Sequence, residues 1–304
     1  MPNIKEIKDR INSVKDIQKI ANAMYLISSA KMQKAKADLD GTRPYFYELR
    51  REIGRIFGYF EDIESDYFYS KDYKSATDKP DACLVITADK GLSGAYNQNA
   101  IRAAEELRKI NSDTKLFVVG EYGRQYFARH NIPIEQSFLY TAQNPTMPRA
   151  RQICRTLLDL YESNAADEIY IVYTDLKRDI NSSAQTVRLL PLERKDFSAG
   201  DYKKSGFEFW PDAKKVLESI VPAFLTGFIY SALVDSFCSE QNARMTAMSA
   251  ANDNAKEIIS KLSTQYNRFR QAEITREIAE VSAGAKAQKL KRKAREETKW
   301  KPEK

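Results

Sequence analysis

FIYSALVDSFCSEQNARMTAMSAANDNAKEIISKLSTQYNRFRQAEITREIAEVSA, Phe228 to Ala283, contains neither glycine nor proline and is rich in Ala, Met, Glu, Lys, Arg and Gln, residues that lose little on entering a helix. One unbroken helix is predicted. At 1.5 Å per residue it would reach roughly 84 Å, several times the length of an ordinary globular helix. Met248, Ala255, Leu262 and Phe269 recur every seven residues, and Met245, Asn252, Ile259 and Tyr266 form a second row beside them. That is an a/d seam, and a sustained 3.5-residue period requires a partner helix in a left-handed supercoil. The middle of the seam is small and polar at Asn252 and Ala255, which suits close approach more than deep burial.

The partner is predicted at the other end of the chain. Asn3 to Asp40 again lacks glycine and proline. Ile4, Ile7, Ile11 and Val14 mark an apolar stripe, and the next apolar set, Ile17, Ile20, Met24 and Ile27, follows after a three-residue step that would overwind a coiled coil. Two long helices at opposite chain ends, with a compact segment between them, pair most simply as an antiparallel coiled coil. GTRPYFYELRREIGRIF carries the first helix past Gly41 and Pro44, with a kink expected there, to about residue 57. Residues 58–80, acidic and aromatic without a period, read as a loop.

From Asp81 the texture changes. ACLVITA, KLFVVG (Lys115 to Gly120) and EIYIVYT (Glu168 to Thr174) are short continuous apolar runs of the kind found in strands buried on both faces. Amphipathic stretches at Asn97–Ile110, Tyr122–His130 and Arg149–Tyr161 separate them, and AQTVRLLPL, Ala184 to Leu192, adds a last strand. The fold class is therefore α/β, a βαβ-type domain over 81–210 with a mainly parallel sheet, joined to the coiled coil. The C-terminal helix is predicted over 211–286, followed by a tail over 287–304.

Composition narrows the function. The net charge is +7, and the segment from Lys286 onward carries nine Lys or Arg against three Glu, so the remainder is nearly balanced. Three cysteines without CxxC spacing support neither a disulfide framework nor a zinc site. The N-terminus has charges from Lys5 and no apolar run, so no secretory signal or targeting peptide is read there. SIVPAFLTGFIYSALV, Ser219 to Val234, is uncharged but short for a span and contains Pro222 and Gly227, so it is assigned to a core and no direct membrane insertion is expected. The turn after the first strand, Asp89, Lys90, Gly91, Leu92, Ser93 and Gly94, has neither GxGxxG nor GxxxxGK[ST], and its two glycines are read as serving a tight turn. The single histidine, His130, falls at a helix end. No catalytic residue, metal ligand or cofactor site is assigned.

Taken together, IKDRINSVKDIQKIANAM (Ile7 to Met24), SSAKM, TADKGLSGAYN (Thr87 to Asn97) and ITREIAEVSAGAKA (Ile274 to Ala287) resemble the gamma subunit of F-type ATP synthases over nearly the whole chain. The resemblance implies a non-catalytic rotor shaft inside a hexamer of alpha and beta subunits, with an epsilon subunit and a membrane c-ring as further partners. It would sit peripherally at the cytoplasmic face of the cell membrane and couple proton- or sodium-driven rotation to ATP synthesis or hydrolysis at the beta subunits. It further implies that Met24, Arg270, Gln271, Thr275 and Glu277 meet the alpha and beta subunits, and that Phe207 and Trp210 lie toward the ring. Ser93, Ala95 and Trp210 depart from the family pattern, and the chain continues past the family's usual end near Gly284. Two other functions are compatible with the same features: an α/β enzyme on a coiled-coil stalk, or a coiled-coil nucleic-acid adaptor using the basic tail. Missing phosphate motifs weigh against the first. The absence of aromatic interleaving along a basic stripe weighs against the second, and no nucleic acid is expected as a partner.

Overall fold

The computed structural model describes residues 4–60, 63–69, 79–138, 142–176, 183–197 and 209–299. In chain order these form α1 (Ile4–Tyr59), β1 (Ala82–Ile86), α2 (Tyr96–Ile110), β2 (Lys115–Val119), α3 (Glu121–Arg129), β3 (Gln136–Phe138), α4 (Met147–Glu162), β4 (Ile169–Thr174), β5 (Ala184–Leu190) and α5 (Ala213–Lys299). The chain packs as two compact units, Met24–Met248 and the pairing of Met1–Ala23 with Ser249–Lys304.

In the larger unit the five strands lie in the order β3-β2-β1-β4-β5. β1 pairs in parallel with both β2 and β4, β2 pairs in parallel with β3, and β5 closes the edge antiparallel to β4. Successive strand residues face opposite sides. Cys83, Val85, Leu116 and Val118 meet Ala100, Ile101 and Ala104 of α2 and Phe127 of α3 on one face. Leu84, Ile86, Phe117, Val119 and Ile171 face the other, where Ile153 and Leu157 of α4, Ile53 and Ile56 of α1, and Leu217, Val221, Leu225, Ile229 and Leu233 of α5 cover them. All five residues of β1 are buried, which is why the strand reads as unbroken apolar sequence.

The uncharged stretch Ser219–Val234 is thus half of a core. Val221, Leu225 and Ile229 are buried against the sheet side of the unit, although α5 is apolar enough over one window to pass for a membrane span. Proline at residue 222 falls in the early turns of α5, and α1 runs on as a helix through Pro44. A Cβ on Gly227 would lie 1.9 Å from the Phe46 ring, so α1 and α5 touch at that point. Eleven residues further along α5, Cys238 Sγ lies 3.9 Å from the Met32 carbonyl, which is earlier in α1. The two helices therefore run antiparallel.

The smaller unit carries the seam. Ala255 and Leu262 are buried, with Asn252, Ile259, Tyr266 and Phe269 half-buried around them. On α1 the matching residues are Ile4, Ile7, Ile11, Val14, Gln18 and Ala21, in an unbroken alternation of three and four. This corrects the expected step in the stripe. Ile17, Ile20 and Ile27 are exposed, Ile20 by 61%, and the heptad continues from Val14 through Gln18, Ala21 and Ser28. Small side chains let helices approach closely, so continuity of period outweighs the hydrophobicity of the isoleucines.

Candidate functional site

Beyond Phe269 the character of α5 changes. Every residue from Arg270 to Arg292 is exposed, including Ile274, Ile278, Val281 and Leu290, the valine by 74%. Ile274, Ile278, Val281 and Ala285 follow one another at intervals of four, three and four, a narrow apolar stripe along one side of a helix. The stripe continues into Gln288 and Arg292, where it becomes polar. Helices in proteins owe most of their stability to tertiary packing of an apolar face, so an uncovered stripe of this kind marks a contact surface.

Four of the residues singled out by resemblance lie here. Arg270, Gln271, Thr275 and Glu277 are all exposed. Thr275 donates its hydroxyl to the Gln271 carbonyl at 2.8 Å, which leaves its oxygen able to accept a bond from a partner. Arg276 and Glu280 pair at 2.9 Å across one turn. Exposed on both sides, this pair adds little to stability. Met24 lies on α1, half-buried, with Tyr25, Leu26 and Ile27 exposed beside it and Ile20 and Ile17 one and two turns earlier. Ile278 and Val281 were not singled out from sequence, and Ile17 and Ile20 were assigned to the seam and not to an exposed surface. The signal that could have found them is apolar spacing off the seam.

The foot turn is built differently from its sequence reading. Gly94 adopts a positive φ of 55°, but at Gly91 there is none, and the second left-handed residue is Leu92 at 63°. Asp89 accepts the Glu121 amide at 3.0 Å and so ties the turn to the start of α3. Its second oxygen and the Ser93 hydroxyl are buried without a partner among the described residues. Gly120, at φ 95°, permits the closest approach, since a Cβ there would meet the Thr87 carbonyl oxygen at 2.3 Å. Trp210 is 89% exposed, and Phe207 lies outside the described residues. His130 ends α3, stacked on Tyr126 with its Nδ1 2.8 Å from the Tyr126 carbonyl.

A cleft of about 700 Å³ opens beside Glu64, Asp66, Tyr67, Glu162 and Arg194. It is acidic. Burial and the Glu162 carboxylate push the Tyr67 hydroxyl well above its ordinary range, so Tyr67 is a hydrogen-bond donor to Glu162 at 2.7 Å and not a base.

The family described as ATP synthase matches residues 3–288. Among individual relatives, the ATP synthase gamma chain of Caldanaerobacter subterraneus subsp. tengcongensis is 44% identical over 292 residues, spanning 92% of this chain and 98% of the relative. The chain belongs to the ATP synthase gamma-chain family. The sodium-ion-specific gamma chain of Acetobacterium woodii is 33% identical, over 94% of this chain and 98% of its own length. Among solved structures, the Tetrahymena thermophila mitochondrial ATP synthase central stalk and c-ring includes a chain aligned with TM-score 0.56 at 26% identity, covering 76% of this chain and 99% of that one. A chain of the Euglena gracilis mitochondrial ATP synthase shares the fold, with TM-score 0.65 at 17% identity over 95% and 96% of the two chains.

Within the gamma-chain family match, the exposed helix end is included as far as residue 288. α5 continues beyond it to Lys299. The basic sequence after Gln288 is therefore an addition to the matched region, carried on the same helix as far as Lys299.

Proposed function

We propose that this chain is the central shaft of a rotary ATP synthase, turning inside a hexamer of alpha and beta subunits and joined through its α/β part to an epsilon subunit and a membrane c-ring. One observation carries the reading: Arg270–Arg292 is a helix exposed on every side that nevertheless bears Ile274, Ile278 and Val281 in line. A collar formed by other subunits covers that line, and a narrow stripe with few side-chain hydrogen bonds gives a smooth bearing. Arg270, Gln271, Thr275 and Glu277 supply the polar grip on the collar, and Met24 with its exposed neighbours supplies the contact on α1. The chain performs no chemistry of its own. It couples proton- or sodium-driven rotation to nucleotide turnover at the beta subunits, from a peripheral position at the cytoplasmic face of the membrane.

Replacing Arg270 and Gln271 together by alanine tests the reading. Both side chains are exposed, so the thermal midpoint of the free chain is expected to stay unchanged while ATP turnover by the assembled complex falls. Wild-type turnover in the double variant would remove these two residues from the grip.

A further inference from the structure

In an open parallel α/β sheet, ligands bind outside the carboxyl ends of the strands, in the crevice where the strand order reverses. Here that point lies between β1 and β4, since β2 and β3 follow on one side of β1 and β4 and β5 on the other. α5 occupies it. Ser236 is fully buried, and its hydroxyl accepts the amide of Thr174 at the end of β4 at 3.1 Å. One turn on, Ser239 donates to the Thr174 carbonyl at 3.2 Å. A further turn brings Arg244, which donates to the carbonyl of Gly91 in the turn after β1 at 3.0 Å and pairs with Glu240 at 2.5 Å. Glu240 and Arg244 are each more than nine-tenths buried.

The chemistry of the crevice does not suit the ligands such sites take. Its acids are Asp89 and Glu240, which repel one another, and Arg244, the cation, is already engaged. A phosphate would find no open cradle.

We infer that α5 permanently plugs the ligand crevice of the α/β part, and that Arg244, oriented by Glu240, is a positioning residue that makes this part and the length of α5 packed on it one stiff piece. The inference rests on the shaft reading and deepens it. Apolar packing along Val221–Leu233 is non-directional and tolerates small rotations of a helix about its axis. Directional bonds from successive turns of α5 to the end of β4 and to the turn after β1 do not. They act as keys between wheel and axle.

The test uses the assembled complex with the hexamer fixed and a probe on Ile110→Cys, an 86% exposed position at the end of α2. The native cysteines are all buried. Arg244→Ala is expected to assemble and to keep ATP hydrolysis, while the angular spread of the probe broadens. In the full chain, amide exchange at Thr174 and Tyr96 should rise roughly 10- to 100-fold, the range expected from losing a charged hydrogen bond. Amides of β3 should be unaffected, and Arg244→Lys should recover part of the stiffness. An Arg244→Ala complex that assembles with unchanged angular spread and unchanged exchange would overturn the inference. Should that variant fail to fold, Ser236→Ala with Ser239→Ala removes the other keys at small cost in volume. The same broadening is expected of it, and its absence overturns the inference equally. Failure of the unsubstituted chain to assemble with alpha and beta subunits would instead sink the shaft reading itself.

Discussion

One helix, α5, handles its apolar residues in two opposite ways. Over Ala213–Met248 they are covered by the chain's own sheet and by α1, and over Arg270–Arg292 they are left bare. Intrinsic propensity would rank them the other way: the covered half holds Pro222, Gly227 and many β-branched and aromatic residues, while the bare half is rich in strong helix formers. The difference lies in who supplies the covering surface. The first half carries the stability of the free chain, and the second contributes no burial to it.

The largest expected effect is in the covered half. Ile229→Ala deletes a fully buried side chain and should cost about 2–5 kcal/mol in denaturant unfolding of the free chain. A cost under about 0.5 kcal/mol would erase the contrast between the halves. Gly227→Ala is next. Its Cβ would lie 1.9 Å from the Phe46 ring, and since that ring can shift, a loss of about 1–3 kcal/mol is expected from overpacking. In the bare half, Ile278→Ser with Val281→Ser should change free-chain stability by less than about 0.5 kcal/mol. The same pair should weaken assembly with the alpha and beta subunits. A melt lowered as much as that of Ile229→Ala would mean that the helix end is covered by its own chain.

The smallest effect concerns thiols. Burial raises Cys154 and Cys238 from an ordinary 9.0 to about 11 and Cys83 higher still. All three should resist a thiol reagent at pH 8 in the folded chain and react once it unfolds. The sign of the pH effect follows. Unfolded thiols ionise near pH 9 while folded ones keep their protons, so stability falls as pH rises from about 9 toward 11, and is unaffected by these groups below that window.

Much of this was legible in the residues. β1, β2 and β4 are buried on both faces, and buried parallel strands announce themselves as apolar runs. The seam on α5 was equally plain from its heptads. β3 was not, because QSF is three residues long with an exposed glutamine at its start and contains no run to notice. Ile17, Ile20 and Ile27 were drawn into the wrong stripe because four well-spaced apolar residues outweigh Gln18, Ala21 and Ser28 by hydrophobicity alone. The continuing period from Val14 was the better guide. Of the candidate contacts, only resemblance pointed to Arg270, Gln271, Thr275 and Glu277, since polar residues on a helix look alike whether they face water or a partner. Glu240 and Arg244 are harder still. An acid and a base four apart read as an ordinary surface pair, and only the strand ends beside them reveal that they are buried.

The apolar stripe on the bare end of α5 has a definite length. From Ile274 to Ala285 it covers roughly 17 Å along the axis at 1.5 Å per residue, and at Gln288 and Arg292 the same side turns polar and charged. That makes the helix a depth gauge. A surrounding collar that dries the stripe without burying the arginine has a greasy throat about three turns thick. Withdrawing the helix by about two turns, roughly 10.5 Å, would bring Arg292 into it. On the shaft reading proposed above, the length of the stripe would thus set the depth to which the helix is inserted.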